Sequence, residues 1–298
     1  MHFTTTFAIL FSATTVLALP GKPQPPQNTV AKTDKTSSDS SGDDWPVWFG
    51  VTIDKPPSGK FTGISATLKV PTLKLGDQEG PNGYGISESV SAWIGLDGAK
   101  DSDDVLQVGV NMFITSDGAK LTVPDGDNLI LRGVPEWYPT PFTEWTEKEL
   151  KIVYGDVINL RVESTSETAA TLYIENTNTG VKISKPMTPP KGTKLIGNTA
   201  EWIVESLIGP DGKFLPPPDF GTIAFSDCVA TTSDGKTYGP DAGKVFDQGD
   251  KLKTETKGNT VNVNFVPESA FINPGKPGGK KKPPAESSTT GGTAHTGQ

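Results

Sequence analysis

Between residues 48 and 266 the chain breaks into short segments in which apolar and polar positions alternate. WFGVTI (48–53), ISATLKV (64–70), ESVSAWIGL (88–96), VLQVGVNMFI (105–114) and LKIVY (150–154) carry this period of two. VINLRVES (157–164), AATLYIEN (169–176), AEWIVE (200–205), TIAFS (222–226) and VNVNFV (261–266) repeat it. A period of two sends successive side chains to opposite faces of a β-strand. Turn chemistry separates the segments: SDG at 116–118, NTNTG at 176–180 and PDG at 210–212. No apolar stripe at helical spacing runs beyond about two turns. Ten such segments predict an all-β sandwich or barrel, as one domain over residues 44–271.

The two faces of these strands differ in kind. Ala92, Ile94 and Leu96 share one face, with Trp93 and Asp97 on the other. Leu106, Val108, Val110 and Met112 oppose Gln107, Gly109 and Asn111. In TAEWIVE, Trp202 and Val204 oppose Glu201, Ile203 and Glu205; in VPEWYP, Trp137 opposes Glu136 and Tyr138. One face of each segment suits a core between sheets. The other carries Trp, Asp, Gln, Asn, Glu and Tyr without Lys or Arg, unlike an ordinary solvated strand face. That composition predicts the wall of a groove where aromatic rings and a few polar groups converge. An unremarkable polar outer face is the alternative.

The ends of the chain are different again. MHFTTTFAILFSATTVLALP has an apolar run from Phe7 to Leu19, with Val16 and Ala18 at the cleavage offsets. This predicts a signal peptide over 1–18 and a secreted, extracellular protein. The run is too short and too rich in Thr to span a membrane. Residues 19–43 predict a disordered linker or short pro-segment, and 272–298 a disordered Gly/Pro/Lys/Ser/Thr tail.

Charge and rare residues narrow the chemistry. The net charge is −8, and the most basic stretch, GKPGGKKKPP, lies in the tail, so a nucleic-acid footprint is absent from the body. The only histidines, His2 and His295, fall outside the predicted domain. That excludes Ser-His-Asp and Cys-His catalysis and HExxH zinc sites within it. Cys228 is the only cysteine, so the fold forms no intrachain disulfide. The expectation is a monomer that needs no cofactor or metal and has no nucleic-acid or membrane partner.

Five strings in order then carry a family pattern: AWIGLDG (92–98), LQVGV (106–110), EWYP (136–139), AEWIVE (200–205) and DFGTIAF (219–225). Their order and spacing resemble the fungal glutamic peptidases, the eqolisins. The resemblance implies a concanavalin A-like β-sandwich of two bent antiparallel sheets with a substrate groove on the concave face. It also implies a secreted endopeptidase that cleaves proteins or peptides at acidic pH through a glutamate and a glutamine. The glutamate leading AEWI falls on Glu201 and the glutamine of LQ-x-G on Gln107. Trp93 and Asp97 match residues that support the family's site, and Glu136 matches the glutamate of EWYP. Tyr138 and Glu205 flank these positions. Asn111 stands where the family's glutamine strand usually carries aspartate, Val108 where threonine is frequent, and DDWPVWFGV matches the opening segment only loosely.

The pair has a clear chemical logic. A carboxylate can act as base and then as acid, and a primary amide can donate to an oxyanion without titrating. On this reading Glu201 activates a water, Gln107 holds the tetrahedral oxyanion, and Glu201 returns the proton to the leaving nitrogen. Two other functions fit the same fold. A glycan-active enzyme would use Glu201 and Glu205 as its carboxylate pair. A non-catalytic binding protein is permitted by Asn111.

Overall fold

A computed structural model describes residues 48–74, 88–99, 104–114, 129–141, 143–209, 214–247 and 252–267. The expected signal peptide, linker and tail lie outside the described residues, as do the turns at 116–118 and 210–212. The strands are β1 (Trp48–Asp54), β2 (Phe61–Lys69), β3 (Glu88–Leu96), β4 (Val105–Ile114), β5 (Leu129–Tyr138), β6 (Val157–Ser166) and β7 (Ala169–Asn176). They continue as β8 (Val181–Met187), β9 (Thr199–Glu205), β10 (Thr222–Thr232), β11 (Thr237–Tyr238), β12 (Lys244–Phe246), β13 (Leu252–Lys257) and β14 (Thr260–Phe265). A single 3-10 turn, Pro240–Ala242, is the helical element among the described residues.

The strands form two antiparallel sheets, one in the order β12-β1-β9-β3-β4-β5 and the other in the order β13-β14-β10-β2-β6-β7-β8, with β11 beside β10. Their apolar faces meet in one core. Ile94, Leu106, Val108, Trp202 and Val204 of the first sheet pack in it with Ile64, Leu68, Leu160, Val162 and Leu172 of the second. The Trp202 indole donates to the Ser65 carbonyl at 3.1 Å, tying the sheets together through a buried side chain. The alternation in the sequence thus becomes a sandwich because each sheet has one face to bury.

Two expectations about elements change. LKIVY forms no strand: residues 150–154 run as an irregular segment, with Leu150 and Ile152 buried and Val153 exposed. There the alternation lets a loop close the edge of the core, and the backbone bonds to Thr146 and Asp156 instead of a ladder. Conversely, β5, β8 and β13 carried weak strand signals. Each lies at a sheet margin, where Pro135, Pro186 and the polar run LKTETK are tolerated because one side needs no ladder partner.

Candidate active site

Register across β9, β3, β4 and β5 aligns the outward-facing side chains in three rows. Glu201, Gly95, Gln107 and Glu136 form the first; Ile203, Trp93, Gly109 and Val134 the second; Glu205, Ser91, Asn111 and Arg132 the third. All stand on the face turned away from the intersheet core. Arg132 puts a cation on a face that VPEWYP alone showed as free of Lys and Arg.

The first two polar groups meet directly. Gln107 Nε2 donates to Glu136 Oε2, while Gln107 Oε1 and Glu136 Oε1 have no hydrogen-bond partner. Burial pushes the Glu136 carboxyl up to about 8; the Gln107 bond opposes this and the Glu205 charge adds to it. Glu205 is 2% exposed and accepts a 2.8 Å bond from Trp93 Nε1. Burial raises it to about 7, against the stabilising indoles of Trp93 and, more weakly, Trp48. Trp48 meets Trp93 edge to face at 5.1 Å between ring centroids, closing the site at β1.

Glu201 has other neighbours. It is fully enclosed, and neither carboxyl oxygen meets hydrogen-bond geometry with any group. Burial holds its pKa well above the ordinary carboxylate range; the nearby Thr199 hydroxyl and Ala99 backbone oppose this, and the charges of Asp97 and Asp54 add to it. Asp97 in turn ties down backbone: its two oxygens accept from the amides of Ile196 (2.6 Å), Gly197 (3.0 Å) and Asn198 (2.8 Å). It holds a positive φ of 65° at the end of β3. Asp97→Ala is expected to cost about 3 kcal/mol or more, since three buried or half-buried amides lose a charged acceptor. Thermal melting should show a fall of roughly 6–12 °C.

A Gln-bearing carboxyl, a second buried carboxyl within its electrostatic reach, and an indole holding that second group make an acid–base constellation. The Peptidase A4 family pattern matches residues 46–265. The chain belongs to that family. Aspergillopepsin-2 of Aspergillus niger is 32% identical over 222 residues, covering 69% of this chain and 73% of its own length. Scytalidopepsin B of Scytalidium lignicola is 28% identical over 216 residues, covering 69% and 74%. The crystal structure of scytalido-glutamic peptidase with a transition state analog inhibitor superposes with a TM-score of 0.58 at 26% identity, covering 74% of this chain and 98% of that one. Aspergilloglutamic peptidase from Aspergillus niger gives 0.52 at 29% identity, covering 60% and 99%. This protein is therefore a glutamic endopeptidase.

Within this peptidase the residues singled out in the sequence fall into two groups. Gln107, Glu136, Trp93 and Glu205 are linked by hydrogen bonds and charge, whereas Glu201 and Asp97 form a separate buried acidic group next to β1. Asn111 is buried with its Nδ2 unpartnered, and Tyr138 packs half-buried against Trp93 and its neighbours. Trp48 and Arg132 were missed. The only signal for Trp48 was an aromatic residue in a poorly matching opening segment, and Arg132 lies outside the recognisable string. Close packing against Trp93 and the β3 backbone also explains two glycines. A Cβ on Gly95 would sit 2.9 Å from Trp93 Cζ3, and one on Gly109 would sit 2.5 Å from Trp93 Cβ. Gly95→Ala is expected to displace the indole, break its bond to Glu205 and reduce kcat more than it changes the melting temperature. Parallel kinetics and melting curves check this.

Proposed function

We propose that this peptidase is a secreted monomer that cleaves proteins or peptides at acidic pH without metal or cofactor, using Gln107 and Glu205 as its catalytic pair. The observation that carries the proposal is the linkage from Gln107 through Glu136 to Glu205, with Trp93 holding Glu205 at 2.8 Å. Glu201 supports the role less well: both glutamates are buried, but the charges acting on Glu201 are those of Asp97 and Asp54. Secretion rests on the apolar run at residues 7–19, and no helix among the described residues is long and apolar enough to cross a membrane. Peptide recognition is supported by scytalido-glutamic peptidase, 26% identical, which was solved with a peptide based transition state analog.

Ionised Glu205 takes a proton from a water as its oxygen bonds to the scissile carbonyl carbon. The carbonyl oxygen becomes an oxyanion, which the second Nε2 hydrogen of Gln107 stabilises. Glu136, neutral below about 8, accepts from Gln107 through Oε2. Its Oε1 is the site from which a neutral carboxyl donates a further hydrogen bond. Collapse of the intermediate breaks the C–N bond, and Glu205 passes its proton to the leaving nitrogen. Burial raises Glu205 to about 7, and hydrogen bonds from a bound substrate to the ionised carboxylate pull that value down.

The test is cleavage of a denatured protein across roughly pH 2–7, with pepstatin present, by the wild type and by Glu205→Gln, Glu201→Gln and Gln107→Ala. Cleavage that needs Glu205 and Gln107 but not Glu201 supports the assignment. Loss on Glu201→Gln alone returns the base to Glu201. Peptide binding without cleavage at any pH replaces the enzyme by a binding protein.

A further inference from the structure

The third row of the groove face ends in two hydrogen-bond donors that the catalytic steps leave unused. Asn111 is 2% exposed, and its Nδ2 has no hydrogen-bond partner. Directly opposite on β5 stands Arg132, the Cα partner of Asn111. Alternation along β5 puts Arg132 on the same face as Glu136. Its Nη1 donates at 2.9 Å to both the Leu131 carbonyl and Glu147 Oε1. That ion pair is not sealed from solvent, with side chains 21% and 35% exposed. A guanidinium carries five N–H donors in a fork, and Nη1 makes both of these bonds while Glu144 also feels the Arg132 charge.

Two physical facts give these donors a direction. A buried amide donor without an acceptor is costly until a ligand supplies one. The neighbouring groups on the face are acidic, namely Glu136, Glu201 and Glu205. Glu147 and Glu144 face Arg132 from the segment beside β5, so Arg132 is a cation among acids next to an orphan donor. A carboxylate is the group that satisfies both at once, accepting from the guanidinium and from the amide.

We infer that Asn111 and Arg132 form a subsite for an acidic side chain of the peptide substrate. This rests on the endopeptidase proposal and adds a specificity to it. Arg132 lies four residues along β5 from Glu136, a span of about 13 Å. The recognised residue therefore sits a few positions from the scissile bond. Substrate Asp and Glu ionise near pH 4, so the preference switches on above that pH and off below it.

The experiment compares matched peptides in which Glu, Gln or Lys is scanned through the positions around the scissile bond, reading kcat/KM at about pH 5.5 and about pH 3. One position is expected to favour Glu over Gln by about tenfold at the higher pH. That ratio falls towards one at the lower pH and in Arg132→Gln at the higher pH, whereas Arg132→Lys keeps part of it. Arg132→Glu shifts the preference to Lys. Melting curves verify that each variant is folded. Cleavage of the neutral peptides with no Glu preference at any position overturns the subsite, as does a preference that survives Arg132→Gln. Failure to cleave any peptide overturns the endopeptidase proposal instead. Calorimetric binding of the Glu and Gln peptides then judges the subsite alone, and equal affinities reject it.

Discussion

Glu205→Gln is expected to reduce peptide cleavage by about a hundredfold to ten-thousandfold, the usual worth of a positioned acid–base group. Glutamine keeps the size of the side chain and can still meet the Trp93 indole through its carbonyl oxygen. What it lacks is the ability to take and return a proton, so the loss should appear in kcat with KM little changed. Glu201→Gln should retain most activity. Burial together with Asp97 and Asp54 keeps Glu201 neutral across the acidic range, and an amide of the same shape replaces a neutral acid there. Gln107→Ala removes an oxyanion donor worth about 2.7–4 kcal/mol, roughly a hundredfold or more in turnover. It also leaves Glu136 without its buried partner. Steady-state kinetics on one peptide, with all three variants checked for folding, separates these outcomes. Equal losses in Glu201→Gln and Glu205→Gln would defeat the distinction.

Stability should be highest in acid and fall as the solution approaches and passes neutrality. Glu205 and Glu136 have an ordinary value of 4.5 when exposed and are raised by burial to about 7 and about 8 in the folded protein. Folding therefore favours their protonated forms. The stability this contributes is fully present below 4.5 and is lost as pH rises through about 7 and then about 8. Ionising Glu205 in place costs about 3 kcal/mol and Glu136 about 5 kcal/mol. Glu201 adds to the same direction. Losses of that size rival the entire stability of an ordinary domain, about 5–15 kcal/mol. Glu167 shifts downwards beside Lys194 and Lys60, and Asp234 through bonds from Thr232, Ser58 and Lys236, but both sit on the surface where solvent screens them. Melting temperatures between about pH 4 and pH 8 are expected to fall by roughly 10 °C or more. Glu136→Gln combined with Glu205→Gln should flatten the slope. A wild-type melting temperature that rises over this interval would contradict the role of the buried acids. The same titrations bound the alkaline end of the working range. Loss of the Glu136 proton and of the fold limits activity there.

Much of this was legible along the chain. ESVSAWIGL and VLQVGVNMFI form strands over the lengths that their alternation indicates, and the core side of each is the apolar one. Gln107, Trp93, Glu136 and Glu205 all stand on the groove face, as their parity requires. Parity could not rank Glu201 against Glu205, because residues four apart on a strand share a face. Nor could it show that Asp97 caps a turn a hundred residues away, or that Arg132 lines the same surface as Asn111.

The sequence by itself determined the class of fold, the inward and outward side of nearly every strand, and the absence of histidine between residues 44 and 271. Those are consequences of composition and of a period of two, which are local. Only the tertiary structure decided which acids stand near one another. Strand register joins residues tens to a hundred positions apart, and burial sets each carboxyl's charge by what surrounds it. TAEWIVE holds two glutamates with the same local environment in sequence. In the folded sheet one is enclosed beside Asp97 and Asp54, and the other is held by Trp93 within reach of Glu136.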